Sequence, residues 1–209
     1  MNKEQTNSIY EVNTWLYFLA LCLVTFLLLF MKKALIENET AAFQILDQRG
    51  ELGIIQMLNG LQYIAIPLIY LIKFTVIAFV IWVGCFMFGY KITFGQTWHV
   101  TLVSESIFLV AELLKICWFL FIETDPILYE IQAFYPLSLI HFADIYSLSK
   151  NLFYPLKALN IFEVAYWFLL VYGIHQMAQK RKNIAYAIIF TSYVPLFLLW
   201  LVFYSVVYK

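Results

Sequence analysis

Charge is what this chain has least of. Asp, Glu, Lys and Arg make up 12% of its 209 residues, where an average soluble domain carries about 25%. Acidic and basic residues balance at 13 each, so no positive excess exists to hold nucleic acid. Cysteine is sparse too. Cys22, Cys85 and Cys117 each sit inside an apolar run, with no CxxC and no paired spacing. That excludes a disulfide framework and argues against a metal site, leaving small buried hydrophobes. Catalytic signatures are missing as well: no HExxH, no GxSxG, no GxGD aspartate pair and no P-loop. No enzyme class is indicated and no cofactor is expected. His99, His141 and His175 lie in separate segments, and bis-histidine haem would need two of them facing at matched depth. No internal repeat is evident, which speaks against a transporter built from inverted halves.

Apolar residues are abundant: 64% hydrophobic, 20% aromatic. Such a chain is too apolar for a soluble domain and too long for one core under a polar skin. It reads as a single membrane domain, 1–209, an all-α polytopic integral membrane protein in contact with the lipid bilayer. Five runs meet the need for roughly 20 apolar helical residues: 14–31, 61–89, 97–121, 158–177 and 184–207. Pro67 and Pro195 fall inside two of them, where kinks are tolerable if neighbours re-satisfy the backbone. The first run follows thirteen mixed polar residues and ends in Lys32-Lys33 with no small-residue cleavage site, so it is expected to be a retained anchor.

Two longer connections are expected to carry interfacial helices. In 32–60, Ala34, Ile36, Ala41, Phe43, Ile45 and Leu46 offer a lipid-facing stripe. The stretch 122–157 is aromatic but broken by Pro126, Pro136 and Pro155, with Glu130 and Asp144 inside it. It predicts short interfacial or re-entrant helices, with a sixth span at 127–146 as the alternative. The densest basic cluster, Gln179-Lys180-Arg181-Lys182, favours the cytoplasm and puts the N-terminus there. Lys32-Lys33 then falls outside, so charge counting alone does not decide the orientation.

The third run carries Glu105, Glu112 and Lys115, and the second carries Lys73. A charge at mid-membrane costs roughly 2.5–3.5 kcal/mol or more, so these groups must pair, neutralise or meet water. Glu105 and Glu112, seven apart, share a helix face; Lys115 follows Glu112 at i+3. At about 1.5 Å per residue, Lys73 reaches about the depth of Glu112 and Lys115. The expected pair is therefore Lys73 with Glu112. Three readings of Lys73, Glu105, Glu112 and Lys115 stay open: a structural cluster of Lys73, Glu112 and Lys115, a polar path extended by Thr101 and Ser104, or a partner-binding face.

The most motif-like stretch is "LNIFEVAYWFLLVYGIHQMAQKRKNIAYAII", residues 159–189. Asn160 and Glu163 have capping-box spacing, so Glu163 reads first as part of a helix cap. Gly173 is expected to allow close helix approach. The entry Asn160-Ile161-Phe162-Glu163, then Trp167, then Leu170 to Ile174, a basic turn and a Lys-Asn-Ile-Ala-Tyr-Ala restart, resembles the Yip-type membrane domain of the Ypt/Rab-interacting-protein superfamily. "FGYKITFGQTW", 88–98, is similar to that family's short Gly/Phe turn. The resemblance covers 60–207. It implies five spans, a cytosolic N-terminus and no enzymatic site; eukaryotic members act in vesicle trafficking with small GTPases, and bacterial relatives have no settled role. Asn160 stands where the family carries its first acid, and the long N-terminal region and Gly-Pro-rich motif of eukaryotic members are missing. Those departures point to the bacterial type, in an inner membrane, and away from Rab binding. The resulting expectation is a non-enzymatic scaffold or membrane-organising protein, with a membrane-protein partner or a second copy of itself. The alternative is a small permease, or a transporter's membrane subunit, that uses Glu105, Glu112 and Lys73.

Overall fold

A computed structural model of the chain describes residues 12–40, 52–123, 126–179 and 181–208. Eight α-helices are present among them: α1 (Thr14–Leu35), α2 (Leu52–Met87), α3 (Phe94–Ser104), α4 (Ser106–Phe121), α5 (Leu128–Ala133), α6 (Lys150–Ala158), α7 (Ile161–Ala178) and α8 (Lys182–Val207). Short 3-10 turns cover Glu37–Glu39 and Leu139–Phe142, and no strand occurs among the described residues.

Four of these helices are long and apolar enough to cross a membrane: α1, the Gly60–Met87 part of α2, α7 and α8. Their outward faces fit no aqueous surface. Leu19, Ile64 and Leu199 are 66%, 76% and 65% exposed, within broad apolar sides. This is the surface of an integral, multi-pass membrane protein.

The expected single run over 97–121 is instead two helices, α3 and α4, meeting at Glu105. The backbone stays right-handed there, with φ −57° and ψ −25°. A threonine ladder leads up to the break. Thr97 Oγ1 donates to Thr93 O at 3.2 Å, and Thr101 Oγ1 donates to Thr97 O at 3.0 Å. Such back-bonding competes with the helix's own ladder and bends it. The 127–146 stretch holds no spanning helix: the six-residue α5 and the 3-10 turn are too short to cross. In the 32–60 connection, Ile36 is buried beside Leu28 and Ile116 rather than facing lipid. Ala41, Phe43, Ile45 and Leu46 lie outside the described residues.

Helix ends follow local chemistry. Asn13 caps α1, its Oδ1 accepting from the N–H of Trp15 at 3.0 Å. Lys32 and Lys33 in its last turn complement the helix dipole. After α2, Gly89 takes φ +71°, a conformation that suits glycine, and Thr93 with Gln96 forms a capping box for α3. Tyr90 OH donates to Arg181 O at 3.0 Å, tying this turn to the α7–α8 turn at one end of the molecule.

The main core joins α2, α3, α7 and α8 through Ile81, Cys85, Val100, Leu170, Ile174 and Ile188. A second cluster sets Phe18 and Leu21 of α1 against Phe74 and Leu102. Helix α2 packs tightly on α8 at Gly84. A Cβ there would meet Ser192 Cβ and Oγ at 2.9 Å and Ile188 Cγ2 at 3.3 Å. Gly173, the glycine singled out in the sequence, is buried in α7. We expect Gly84→Ala to lower stability by about 1–3 kcal/mol despite alanine's better helix propensity. Adding Ser192→Gly should restore much of the loss. Thermal melts of the purified protein in detergent check both; equal melting of Gly84→Ala and wild type rules the contact out as a constraint.

The half of α8 after Tyr193 runs on for about 21 Å, at 1.5 Å per residue. Helix α7 does not accompany it that far, because Glu163, near the start of α7, already bonds Tyr193. Helix α6 covers the remainder. Asn151 Nδ2 donates to Ser205 O at 3.0 Å, and the Tyr154 and Tyr204 rings lie 4.6 Å apart. Thus α6 and α7, in series, flank the single long α8.

Candidate functional site

The break between α6 and α7 is closed by one side chain. Asn160 Oδ1 accepts the N–H of Glu163 at 2.8 Å, as its position predicts for an N-cap. Its Nδ2 donates to Ala158 O at 2.9 Å and Lys157 O at 3.2 Å. Orphan groups of two helix ends are therefore satisfied by the same amide. The Glu163 carboxylate is turned into the bundle. Its Oε1 accepts from Trp167 Nε1 and from Tyr193 OH, both at 2.9 Å. Spacing revealed the Asn160 cap but not the place of Glu163: its carboxylate bonds Trp167 and Tyr193 instead of returning to the Asn160 N–H as a capping box would, and Tyr193, 30 residues away, left no trace in the spacing.

This geometry fixes what Glu163 contributes. In Glu163→Gln the amide oxygen still accepts both bonds, so near-normal folding is expected. Glu163→Leu strands two donors and should cost about 1–3 kcal/mol for each one left buried. Detergent melts of the two variants test this; a glutamine variant as unstable as the leucine one would show that charge matters here.

Lys73 pairs with Glu105, at 2.5 Å, and not with Glu112 as expected from depth. Counted from the 88–93 turn, Lys73 lies 14 residues back from Met87 and Glu105 11 residues on from Phe94, so the two reach similar depth. Glu112 meets Lys32 of α1 instead, at 3.0 Å. Lys115 makes neither pair: its Nζ donates to Ile131 O at 2.5 Å and Phe134 O at 2.9 Å, at the end of α5. The four ionisable residues thus divide into three separate arrangements rather than one cluster. Lys32 was visible in the sequence as the end of the first run, but its reach to Glu112 was not.

Around the Lys73–Glu105 pair the packing is aromatic. The Lys73 ammonium lies 5.1 Å from the Phe108 ring centroid. Phe108 leads to Tyr166 at 5.3 Å, and Tyr166 to Tyr193 at 5.6 Å. Ser104 Oγ, Glu105 Oε2 and Tyr166 OH are buried without a hydrogen-bond partner among the described residues. Glu105 is 4% exposed at its side chain, whereas Lys73 keeps 40%. Lys73 is half-buried and lines a cavity.

That cavity, of about 870 Å³, lies beneath α6 and between α2, α7 and the second half of α8. Its polar lining includes Lys73, Lys157, Asn160, Glu163, Tyr135 and Tyr154. Leu196, Leu199, Trp200 and Phe203 form its α8 wall. Lys157 Nζ donates to Gln132 O at 2.7 Å. Burial, and then the charge of Lys32, lower the Lys157 pKa from the usual lysine range. No group of three or more His, Cys, Asp or Glu among the described residues is placed to hold a metal. Comparison with protein-family models, curated proteins and solved structures finds no match for this chain.

Proposed function

We propose that this chain is a non-enzymatic Yip-type protein of a bacterial inner membrane, with a scaffolding or membrane-organising role. One observation carries the reading. Its intramembrane charges close on local partners, Lys73 on Glu105, Lys32 on Glu112 and Lys115 on carbonyl oxygens, instead of lining one path. Of the two hydroxyls that would extend a path, Thr101 donates within α3 to Thr97 O, while Ser104 Oγ is buried without a hydrogen-bond partner among the described residues.

Five crossings follow if α3 and α4 act as one bent span, since 94–121 amounts to about 42 Å of helix. The bond between Tyr90 and Arg181 supports a common side for the 88–93 and 179–181 turns. With the basic turn cytoplasmic, the N-terminus is cytoplasmic as well. The segment 122–158 then lies at the outer face as interfacial helices. Partners are a membrane protein or a second copy of the chain.

A second reading is favoured by the cavity. It reaches Lys73 and Glu163 beside two helix discontinuities, at Glu105 and Asn160, an arrangement shared with transporter binding sites. That reading is a small permease or transporter subunit. Liposome flux separates the two. The scaffold reading expects no ion uptake by the purified protein, and cross-linking in native membranes to a defined membrane protein or to itself. Uptake that Glu105→Gln/Glu112→Gln eliminates in a folded protein would overturn it.

A further inference from the structure

The cavity under α6 has two kinds of wall. Its inner wall includes Lys73, Lys157, Tyr135 and Tyr154. Its α8 wall is hydrocarbon, and Leu196, Leu199, Trp200 and Phe203 are 42%, 65%, 50% and 55% exposed. The space therefore communicates with the outside along an apolar side, which in the multi-pass reading is lipid. Its volume of about 870 Å³ lies within the range of about 300–1,000 Å³ typical of ligand sites. A ligand that suits both walls must be amphiphilic.

The sign of its head follows from where the charges point. Glu105 approaches Lys73 as its ion-pair partner, but it is buried and does not line the cavity. Glu163 does line it, yet Oε1 is already engaged by Trp167 and Tyr193. Lys73 keeps 40% of its side-chain surface open. Lys157 bonds a carbonyl oxygen and forms no ion pair among the described residues. Two lysines and one carboxylate therefore line the cavity, and of the two lysines Lys73 is shared with the buried Glu105 while Lys157 is not paired with an acid among the described residues. We propose that this cavity binds one anionic amphiphile, its headgroup at Lys73 and Lys157 and its hydrocarbon chain along Leu199, Trp200 and Phe203. This site goes beyond the scaffold reading and rests only on α2 and α8 being in lipid.

Trp200 supplies the reporter. The protein is reconstituted in nanodiscs of dioleoylphosphatidylcholine, with a minor fraction replaced by chain-brominated phosphatidylglycerol or chain-brominated phosphatidylcholine. Fluorescence quenching is compared with that of Trp200→Phe, so that the other tryptophans are subtracted. The brominated anionic lipid should quench Trp200 about fivefold more effectively than the neutral one at equal mole fraction. Lys157→Gln should bring that ratio close to one. Lys157 is the residue to change, because Lys73→Gln would also break the buried pair with Glu105. Equal quenching by the two lipids, in protein that remains incorporated, would reduce the cavity to ordinary lipid contact and overturn the proposal without touching the scaffold reading. A preference for brominated phosphatidylethanolamine over phosphatidylglycerol would assign the head to Glu163 and overturn it too. So would an unchanged preference in Lys157→Gln, or loss of the preference on adding soluble glycerol phosphate, which would make the ligand a free anion.

Discussion

Replacing Lys73 with methionine should destabilise the protein by about 3–5 kcal/mol, the usual cost of removing one partner of a buried ion pair. Methionine fills much of the same space, so the loss comes from Glu105. That carboxylate is 4% exposed, one of its oxygens has no hydrogen-bond partner, and no other cation forms an ion pair with it among the described residues. The reverse change, Glu105→Gln, should cost clearly less, because Lys73 retains access to the cavity. Lys73→Met/Glu105→Leu should recover most of the stability, since a buried pair exchanged for apolar groups is often neutral. Coupling between Lys73 and Glu112 should be near zero, as Glu112 belongs to Lys32. Double-mutant cycles on detergent-purified protein read all four terms. Strong coupling to Glu112 with none to Glu105 would refute the pairing described here.

Lys115→Met should loosen the outer segment while leaving the bundle standing. The Lys115 ammonium is 4% exposed and bonds two carbonyl oxygens where α5 ends. Carbonyls at a helix C-terminus carry partial negative charge, so both bonds are charge-assisted. Each is worth about 1.5–3 kcal/mol, enough to decide whether a six-residue helix stays docked. Limited proteolysis and hydrogen exchange over 126–149 should accelerate strongly. The amides of α2, α7 and α8 should keep their protection. Unchanged exchange in the outer segment would show that the aromatic contacts of Phe134 with Trp118 and Phe119 hold it alone.

Much of the architecture is written in hydropathy. The long runs announced α1, α2, α7 and α8 because lipid leaves the backbone no partner outside a helix. Asn13 and Asn160 are caps that spacing can reveal, since capping acts over three residues. The bend at Glu105 was hidden for a different reason. It arises where hydroxyls four residues apart bond backward, and threonine in an apolar run looks merely tolerated. The pairing of Lys73 was hidden in turn, because depth was counted from the outer boundary, whereas the short 88–93 turn sets the register of α2 against α3 and brings Glu105 level with Lys73. The cavity could not be read at all: its walls come from α2, α6, α7 and α8, and no periodicity within one segment encodes that meeting.

The Lys73–Glu105 pair also constrains how the chain is made. The two residues are 32 apart. At about 5–20 residues per second, the ribosome adds Glu105 about 2–6 seconds after Lys73. During that interval the ammonium has no acid to meet, and holding it in hydrocarbon costs roughly 2.5–3.5 kcal/mol. Helix α2 therefore gains by waiting at the translocation channel until α3 and the start of α4 arrive, and entering with them as a hairpin. Glu105 then acts as a release signal for the preceding helix, an assembly instruction carried by a single carboxylate.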